Sequence, residues 1–430
     1  MRVLFVTPYP LSRIRVRSYG FVTHLARKHD IKVLALCADE RELADVRAVQ
    51  REGIDIIAIY EARFVQFLRA FLALGSRLPL QVAFGASAHL RATLERLLAS
   101  EHFDLLHVEF VRALGMLPAS LPVPVVWDAV DCVSQLYEQG AKFGMTPLLR
   151  FFGRSEARRV RAYELAQLLR FRQIVITSER DRQALLNLTH GLPDKLQGKM
   201  LATINVLPHG IDQRYFYHYT GPRLPETLIF SGKMSFHANI AGAHNLIKHI
   251  MPRVWKQRPA VRLIIAGSDP PASLCRSGSD PRITFTGYVP DLRSYIARAY
   301  IAVSPLPYAV GIQNKVLEAM ALGTPVIASS HAIAGIQAVA GHDVLAADEP
   351  ETFANAILHL LDQRALWDVL AANGAAYIAA NHNWDAIIQK LTAIYTCALE
   401  SGDMERVGES NQVAACAQTD EIEVVALENS

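Results

Sequence analysis

Cysteine is scarce in this chain. Five are scattered along 430 residues (Cys37, Cys132, Cys275, Cys397 and Cys416) with no C-x-x-C pair. That spacing excludes a disulfide-stapled scaffold and a thiolate metal site, and it suits reduced thiols in a cytoplasm. No uncharged apolar run reaches the roughly 18 residues a membrane-spanning helix needs. The nearest approach, 64–84, is broken by Arg69, Arg77 and Pro79. The opening Met1-Arg-Val-Leu-Phe-Val-Thr7 is interrupted by Pro8 and Pro10, and it reads as a buried strand rather than a secretion signal. Net charge is also small, at +3. The total conceals an asymmetry: residues 1–205 carry 28 Lys+Arg against 20 Asp+Glu, a balance of +8, and residues 206–430 carry 16 against 21, a balance of −5. The first half is therefore suited to an anionic lipid or phosphorylated substrate. Nucleic acid is not expected as a partner, because no aromatic-rich basic groove or recognised motif accompanies the charge.

What the chain has is apolar residues, 51% of the total, enough for two sizeable cores. Short apolar runs alternate with helical patterns, the signature of βαβ units and parallel sheets. Strands are predicted at 3–7, 32–36, 54–59, 105–108, 123–127, 174–177 and 204–207, then at 227–231, 262–266, 283–286, 301–303, 325–328 and 344–346. The fold class expected is α/β, with two Rossmann-like, doubly wound parallel-sheet domains facing a central cleft. The first domain is assigned to 1–210 and the second to 211–383. A helix over 384–400 is expected to cross back to the first domain, and an acidic tail over 401–430 to be disordered. Ligands of such folds bind at the carboxyl ends of the strands.

The most informative segment is Gly311-Ile-Gln-Asn-Lys-Val-Leu-Glu-Ala-Met-Ala321. A glycine loop opens into a helix whose first turns hold Lys315 and Glu318. Unpaired N–H groups and partial positive charge at a helix start suit a diphosphate. Glu318 stands where it can accept from sugar or ribose hydroxyls. The plain alternative is an ordinary loop and helix with a solvated Lys and Glu. Further segments sit at other predicted strand ends: Arg15-Val-Arg-Ser-Tyr19, Trp127-Asp-Ala-Val-Asp131, Leu207-Pro-His-Gly-Ile-Asp212, Phe230-Ser-Gly-Lys-Met234 with Asn239, and Thr286-Gly-Tyr-Val-Pro-Asp291.

Taken in order, over roughly residues 1–400, these motifs resemble the retaining, nucleotide-sugar-dependent glycosyltransferases of family 4, the two-Rossmann or GT-B type. The nearest resemblance is to the sugar transferases of exosortase (PEP-CTERM) exopolysaccharide clusters. It implies that the second domain holds a nucleotide diphosphate-sugar as substrate, with uridine the family-level base. Gly232 would let the backbone approach the phosphates. Lys233 and Lys315 would meet the charge shed on the departing diphosphate, a stabilisation greatest in the transition state. Gly287, Tyr288 and Val289 would read the base, Gly311 and Ile312 would line the phosphates, and Glu318 would contact ribose. The family's first glutamate is replaced by Val310, which leaves Gln313 and Asn314 to hold the sugar. On the first domain, Asp131 would position the acceptor or the developing positive charge, although a turn-capping aspartate fits equally. Arg15, Arg17, Glu109 and Asp128 are assigned to the acceptor side. Val130-Asp131 stands where many relatives have His-Asp.

No cofactor and no metal are expected, since no Asp-x-Asp motif stands at a strand end. The acceptor implied is a lipid-linked or oligosaccharide one, at the inner face of a membrane. Arg150, Arg154, Arg158, Arg159, Arg161, Arg170 and Arg172 run beside Leu148, Leu149, Phe151, Phe152, Leu168, Leu169 and Phe171. They suggest either a helix seated on an anionic leaflet or one packed on the sheet with an arginine-rich outer face. Two other functions fit the same frame: a nucleotide-sugar epimerase or hydrolase, and a non-catalytic sugar-nucleotide-binding protein.

Overall fold

The computed structural model describes residues 1–143 and 147–400. The first sheet contains β1 (Arg2–Thr7), β2 (Asp30–Cys37), β3 (Asp55–Tyr60), β4 (Leu105–Glu109), β5 (Val125–Val130), β6 (Gln173–Ile176) and β7 (Ile204–Val206). Its order is β3-β2-β1-β4-β5-β6-β7, every pair parallel. The second contains β8 (Leu224–Ser231), β9 (Arg262–Ala266), β10 (Ile283–Gly287), β11 (Ala299–Ser304), β12 (Val326–Ala328) and β13 (Leu345–Ala346). Its order is β10-β9-β8-β11-β12-β13, again all parallel. These are the two Rossmann-like domains expected. Val3, Leu4, Phe5 and Val6 are consecutive and fully buried. Both faces of β1 are therefore covered by helices, which is why the strands read as continuous apolar runs.

Strand order reverses at β1/β4 in the first sheet and at β8/β11 in the second. Adjacent strands at such a point send their connections to opposite faces, so the loops leaving them part and open a crevice at the carboxyl edge. The loops that matter are thus those after Thr7, Glu109, Ser231 and Ser304.

One compact unit holds Met1–Ala141, the chain up to His209 and, from Asp385, the last helix; the other is built on Gly210–Trp384. The last helix, Trp384–Glu400, is tied to the first sheet by Tyr395, fully buried, whose hydroxyl meets Nδ1 of His107 at 2.8 Å. The tail expected to be disordered lies outside the described residues. In the arginine-rich helix Pro147–Arg170, Leu168 is core, as is Phe171 just beyond it, while Arg154, Arg158 and Arg161 are exposed. Leu168 and Phe171 are therefore not lipid-facing: burial against the sheet claims them. The side chains of Leu148, Leu149, Arg150 and Phe151 lie outside the described residues.

The helix that opens with Lys315 spans Asn314–Ala321, and Arg223 holds its far end. The Arg223 guanidinium donates to the carbonyls of Leu322 (3.0 Å) and Gly323 (2.8 Å), and to Ala297 O (2.6 Å) at the end of the neighbouring helix Arg293–Arg298. It also donates to Thr324 Oγ1 at 2.7 Å. One cation thus caps two helix carboxyl ends, where the dipoles are negative. Burial pushes its pKa down to about 10. A cavity lined by Tyr219, Arg223, Tyr300, Arg364 and Trp367 opens here, at the edge where β8 and β11 begin, so it lies opposite the carboxyl edge. Arg223→Ala is expected to destabilise the second domain by about 2–4 kcal/mol through orphaned carbonyls, read as a lowered denaturant midpoint. Arg223→Lys is expected to recover only part, since one ammonium cannot span both helix ends.

Candidate active site

In the second domain, β8 and β9 run side by side and their exit loops cross. Gly232 (φ 145°) and Gly267 (φ 143°) both adopt backbone that L side chains rarely enter. A Cβ on Gly267 would stand 1.8 Å from the Gly232 carbonyl oxygen, so the crossing requires glycine. Gly232 N donates to Ala266 O (3.0 Å) and Met234 N to Ser268 O (2.8 Å), fixing the two loops together. Gly267 N donates in turn to Thr286 Oγ1 at 3.3 Å, which links them to the end of β10. Gly287, the 72% exposed Tyr288 and the half-buried Val289 follow directly, on an edge with open space.

Lys315 reaches into this crossing from the other side of the switch point. Its Nζ donates to Asn239 Oδ1 and lies 5.0 Å from the Phe230 ring centroid. Asn239 Nδ2 donates to Lys233 O at 2.9 Å, so Asn239 ties the Lys315 amine to the backbone of the Gly232–Lys233 loop. Lys315 thus brings its charge to the Gly232–Lys233 loop. Lys233 is exposed. Gly311 is buried against Gly335, and Ile312 packs on the domain core, so these two offer backbone rather than side chain. Gln313 Nε2 donates to Val310 O at 3.0 Å, and no side chain caps the helix that Gln313 begins. Asn314 Oδ1 is buried without a partner. Val310 is buried, 8% exposed.

Sequence reasoning missed two groups here. Gly267 was legible as a glycine directly after a predicted strand. Ser304, whose buried Oγ has no partner and which lines a small cavity with Ser231 and Lys315, gave no such signal.

Both titratable groups of the helix are driven toward neutrality. Burial lowers the Lys315 ammonium to about 7, opposed by Glu318, and burial raises the Glu318 carboxyl to about 7, opposed by Lys315. Between the usual carboxylate range and pH 7 the folded chain holds a proton at Glu318 that the unfolded chain has lost, so stability falls as pH rises. Above pH 7 the unfolded chain keeps the Lys315 proton that the folded one has lost, so stability rises. A shallow stability minimum near pH 7 is therefore expected for the empty protein. Lys315→Met/Glu318→Gln should abolish it in denaturation curves taken across pH.

The first domain builds a different arrangement at its own carboxyl edge. Arg17 donates to both oxygens of Asp128 (Nε to Oδ2, 2.7 Å; Nη2 to Oδ1, 2.8 Å) and to Leu207 O (2.7 Å). Arg17 is 7% exposed and Asp128 not at all. The assignment of these two residues to the acceptor rim is thus corrected: their charges are spent on each other inside the domain. Burial alone would raise the Asp128 carboxyl, but Arg17 and His107 hold it below its ordinary value. His107 stacks on Phe5, and its Nε2 lies 3.6 Å from Asp128 Oδ2. Its pairing with Tyr395, 288 residues away, was invisible in the sequence.

Around this pair stand two carboxyls of raised proton affinity. Burial raises Glu109, whose Oε1 accepts from Ser18 Oγ. Burial and Asp181 push Asp131 up to about 7, and Thr177 Oγ1 donates to it at 3.3 Å. The residues beside them carry backbone strain: Phe110 (φ 66°) after Glu109 and Val130 (φ 65°) before Asp131 are left-handed, a rare state for bulky side chains. Arg15 stays exposed, its guanidinium 3.9 Å from the Tyr9 ring centroid. Arg112, which sequence reasoning also missed, covers the same ring at 5.0 Å. It follows β4 by three residues, a positional signal that was there to use. Asp128→Ala should strand the Arg17 charge and cost the first domain about 3–5 kcal/mol, measurable by denaturant unfolding.

The family model of the glycosyl transferases group 1 matches residues 225–363. An uncharacterized glycosyltransferase of Methanocaldococcus jannaschii is 28% identical over 185 residues, which is 40% of this chain and 45% of that protein. The chain thus matches less than half the length of this curated relative. Among solved structures, sucrose-phosphate synthase from Thermosynechococcus elongatus superposes with a TM-score of 0.69 at 18% identity, over 93% of this chain and 100% of that one. HepE of Anabaena, solved with UDP, gives 0.63 at 14% identity over 92% and 100%. At such identities the likeness concerns the fold. Residues 225–363 are thus similar to the glycosyl transferases group 1, and the chain as a whole has the two-domain GT-B fold.

Proposed function

We propose that this chain is a retaining glycosyltransferase, moving a sugar from a nucleotide diphosphate-sugar to a lipid-linked or saccharide acceptor in exopolysaccharide or surface-glycan assembly. The carrying observation is the glycine crossing at the second sheet's switch point, with the Lys315 amine tied to it through Asn239. HepE has been solved with UDP and with UDP-glucose, which supports a uridine nucleotide as the donor's carrier here. The diphosphate takes the uncapped helix start, Lys315 and Lys233. Its arrival restores the proton that burial removes from Lys315, because an adjacent anion raises the ammonium's pKa. Glu318 accepts from sugar or ribose hydroxyls.

The bond from the anomeric carbon to the diphosphate oxygen breaks, and the acceptor oxygen bonds to that carbon on the same face. The acceptor's proton passes to the departing diphosphate, so a histidine base in place of Val130 is not required. The developing charge on the diphosphate is met by Lys315 and Lys233 without a cofactor, and this is where the rate enhancement arises. Asp131 and Glu109 face the acceptor, with Arg15. Nucleotide-sugars are cytoplasmic compounds, which puts the reaction at the inner side of a membrane.

Lys315→Met is expected to lower kcat by about 100-fold or more, the range for losing one group that stabilises transition-state charge. Glu318→Ala should weaken donor binding by about 1–3 kcal/mol. Calorimetry over a panel of nucleotide-sugars, then nucleotide release with and without lipid-linked acceptor, checks both. Free sugar released without acceptor would instead identify a hydrolase, and binding without any turnover a sugar-nucleotide-binding protein.

A further inference from the structure

One helix of the first domain is built inside out. Arg63–Leu72 turns the polar Gln66 inward, 4% exposed, with its amide donating to Glu61 O at 3.1 Å. Its large apolar side chains point to solvent: Phe64 is 75% exposed, Phe67 63%, Phe71 68% and Leu72 72%. Val65, Leu68, Leu74 and Leu78 extend this exposed surface along the same stretch of chain. Large side chains exposed together on one element mark a site of protein or membrane contact.

The charge nearby is of two kinds. Arg63 pairs with Asp39 and Glu42, and Arg69 with Glu61, so they cancel. Arg77, Arg112 and Arg15 have no ion pair among the described residues; Arg159, which lies 3.9 Å from Glu156, also donates to Leu74 O at 2.6 Å. Phe67 meets Phe84 edge-on at 5.3 Å. Arg112 lies 4.9 Å from the Phe84 ring centroid and 5.0 Å from that of Tyr9, whose other neighbour is Arg15. The apolar helix is thus continuous, through Phe84, with unpaired arginines at the carboxyl edge of β1 and β4.

We infer that Arg63–Leu72, with the loop to Leu78, is a docking surface for an anionic lipid bilayer. Side chains projecting from a convex helix need an occupant that conforms to them. A bilayer does so without a shaped groove, and its headgroup phosphates answer the unpaired arginines. The element differs from the arginine-rich helix that the sequence pointed to, in which Leu168 is core and Phe152 is half exposed. The inference does not require the glycosyl-transfer reading, though it suits a lipid-linked acceptor, since the surface adjoins the rim assigned to that acceptor.

The test is flotation of the full chain with vesicles of phosphatidylcholine alone and of phosphatidylcholine with phosphatidylglycerol, with neither donor nor acceptor present. The chain should float with the anionic vesicles and less with the neutral ones, and added salt should release it. Phe67→Asp/Phe71→Asp should weaken flotation at least tenfold while leaving the melting curve and nucleotide binding as in the parent. Arg77→Glu should weaken it on anionic vesicles only. A parent chain that stays in solution with anionic vesicles, or a double variant that floats as the parent does, overturns the proposal. So does a concentration-dependent dimer, lost in the double variant, in a chain that never floats: the surface would then be covered by a second copy. Nucleotide binding, measured separately, reports on the donor site and not on this surface.

Discussion

A single ammonium group in poor solvent organises the second domain. Lys315 leaves the helix start, lies over Phe230, and reaches a loop that closes only because two glycines cross. The opposite end of the same helix is fixed by the Arg223 guanidinium. With a cation capping its negative end, the helix keeps its positive end uncapped and directed at the crevice. The missing cap, the carboxyl brought to near-neutral pKa at Glu318 and the orphaned Asn314 oxygen are costs of one kind. They are polar groups incompletely satisfied inside the domain, which a ligand with negative charge and hydroxyls would satisfy.

The first domain resolves the same problem in the opposite direction. Its most strategically placed cation, Arg17, is neutralised by Asp128, and the pair is backed by His107 and Tyr395. A buried bidentate pair of this kind holds the end of β5, the first helix and the last helix in one geometry. The charge available to a ligand is displaced outward, to Arg15 and Arg112 beside the Tyr9 ring. The carboxyls of Glu109 and Asp131 are left close to a buried anion and bind protons more tightly than usual. The backbone beside each is left-handed, at Phe110 and Val130.

The 28 basic residues of 1–205 therefore divide into populations that composition cannot tell apart. Some arginines are consumed by internal carboxylates and carbonyls, among them Arg17, Arg63 and Arg69. Others have no ion pair among the described residues: Arg15 and Arg112 lie beside the Tyr9 ring, and Arg77 is exposed in the stretch after the apolar helix. Composition counts both populations alike; only their partners separate them.

The fold was legible in the amino-acid sequence because parallel strands covered on both faces must be apolar without interruption. All thirteen predicted strands overlap those observed, within a few residues at each end. The loop after β8 and the start of the Lys315 helix were legible too, since glycine and charge at strand ends are local signals. The tertiary structure alone decided which charges are spent. Nothing local distinguishes Arg15 from Arg17, yet one stacks in the open on Tyr9 and the other is locked to a carboxylate 111 residues away. Nor does periodicity reveal that Arg63–Leu72 turns Gln66 inward and its phenylalanines outward. An amphipathic pattern fixes which residues share a face, and only packing decides whether that face meets the core or the solvent.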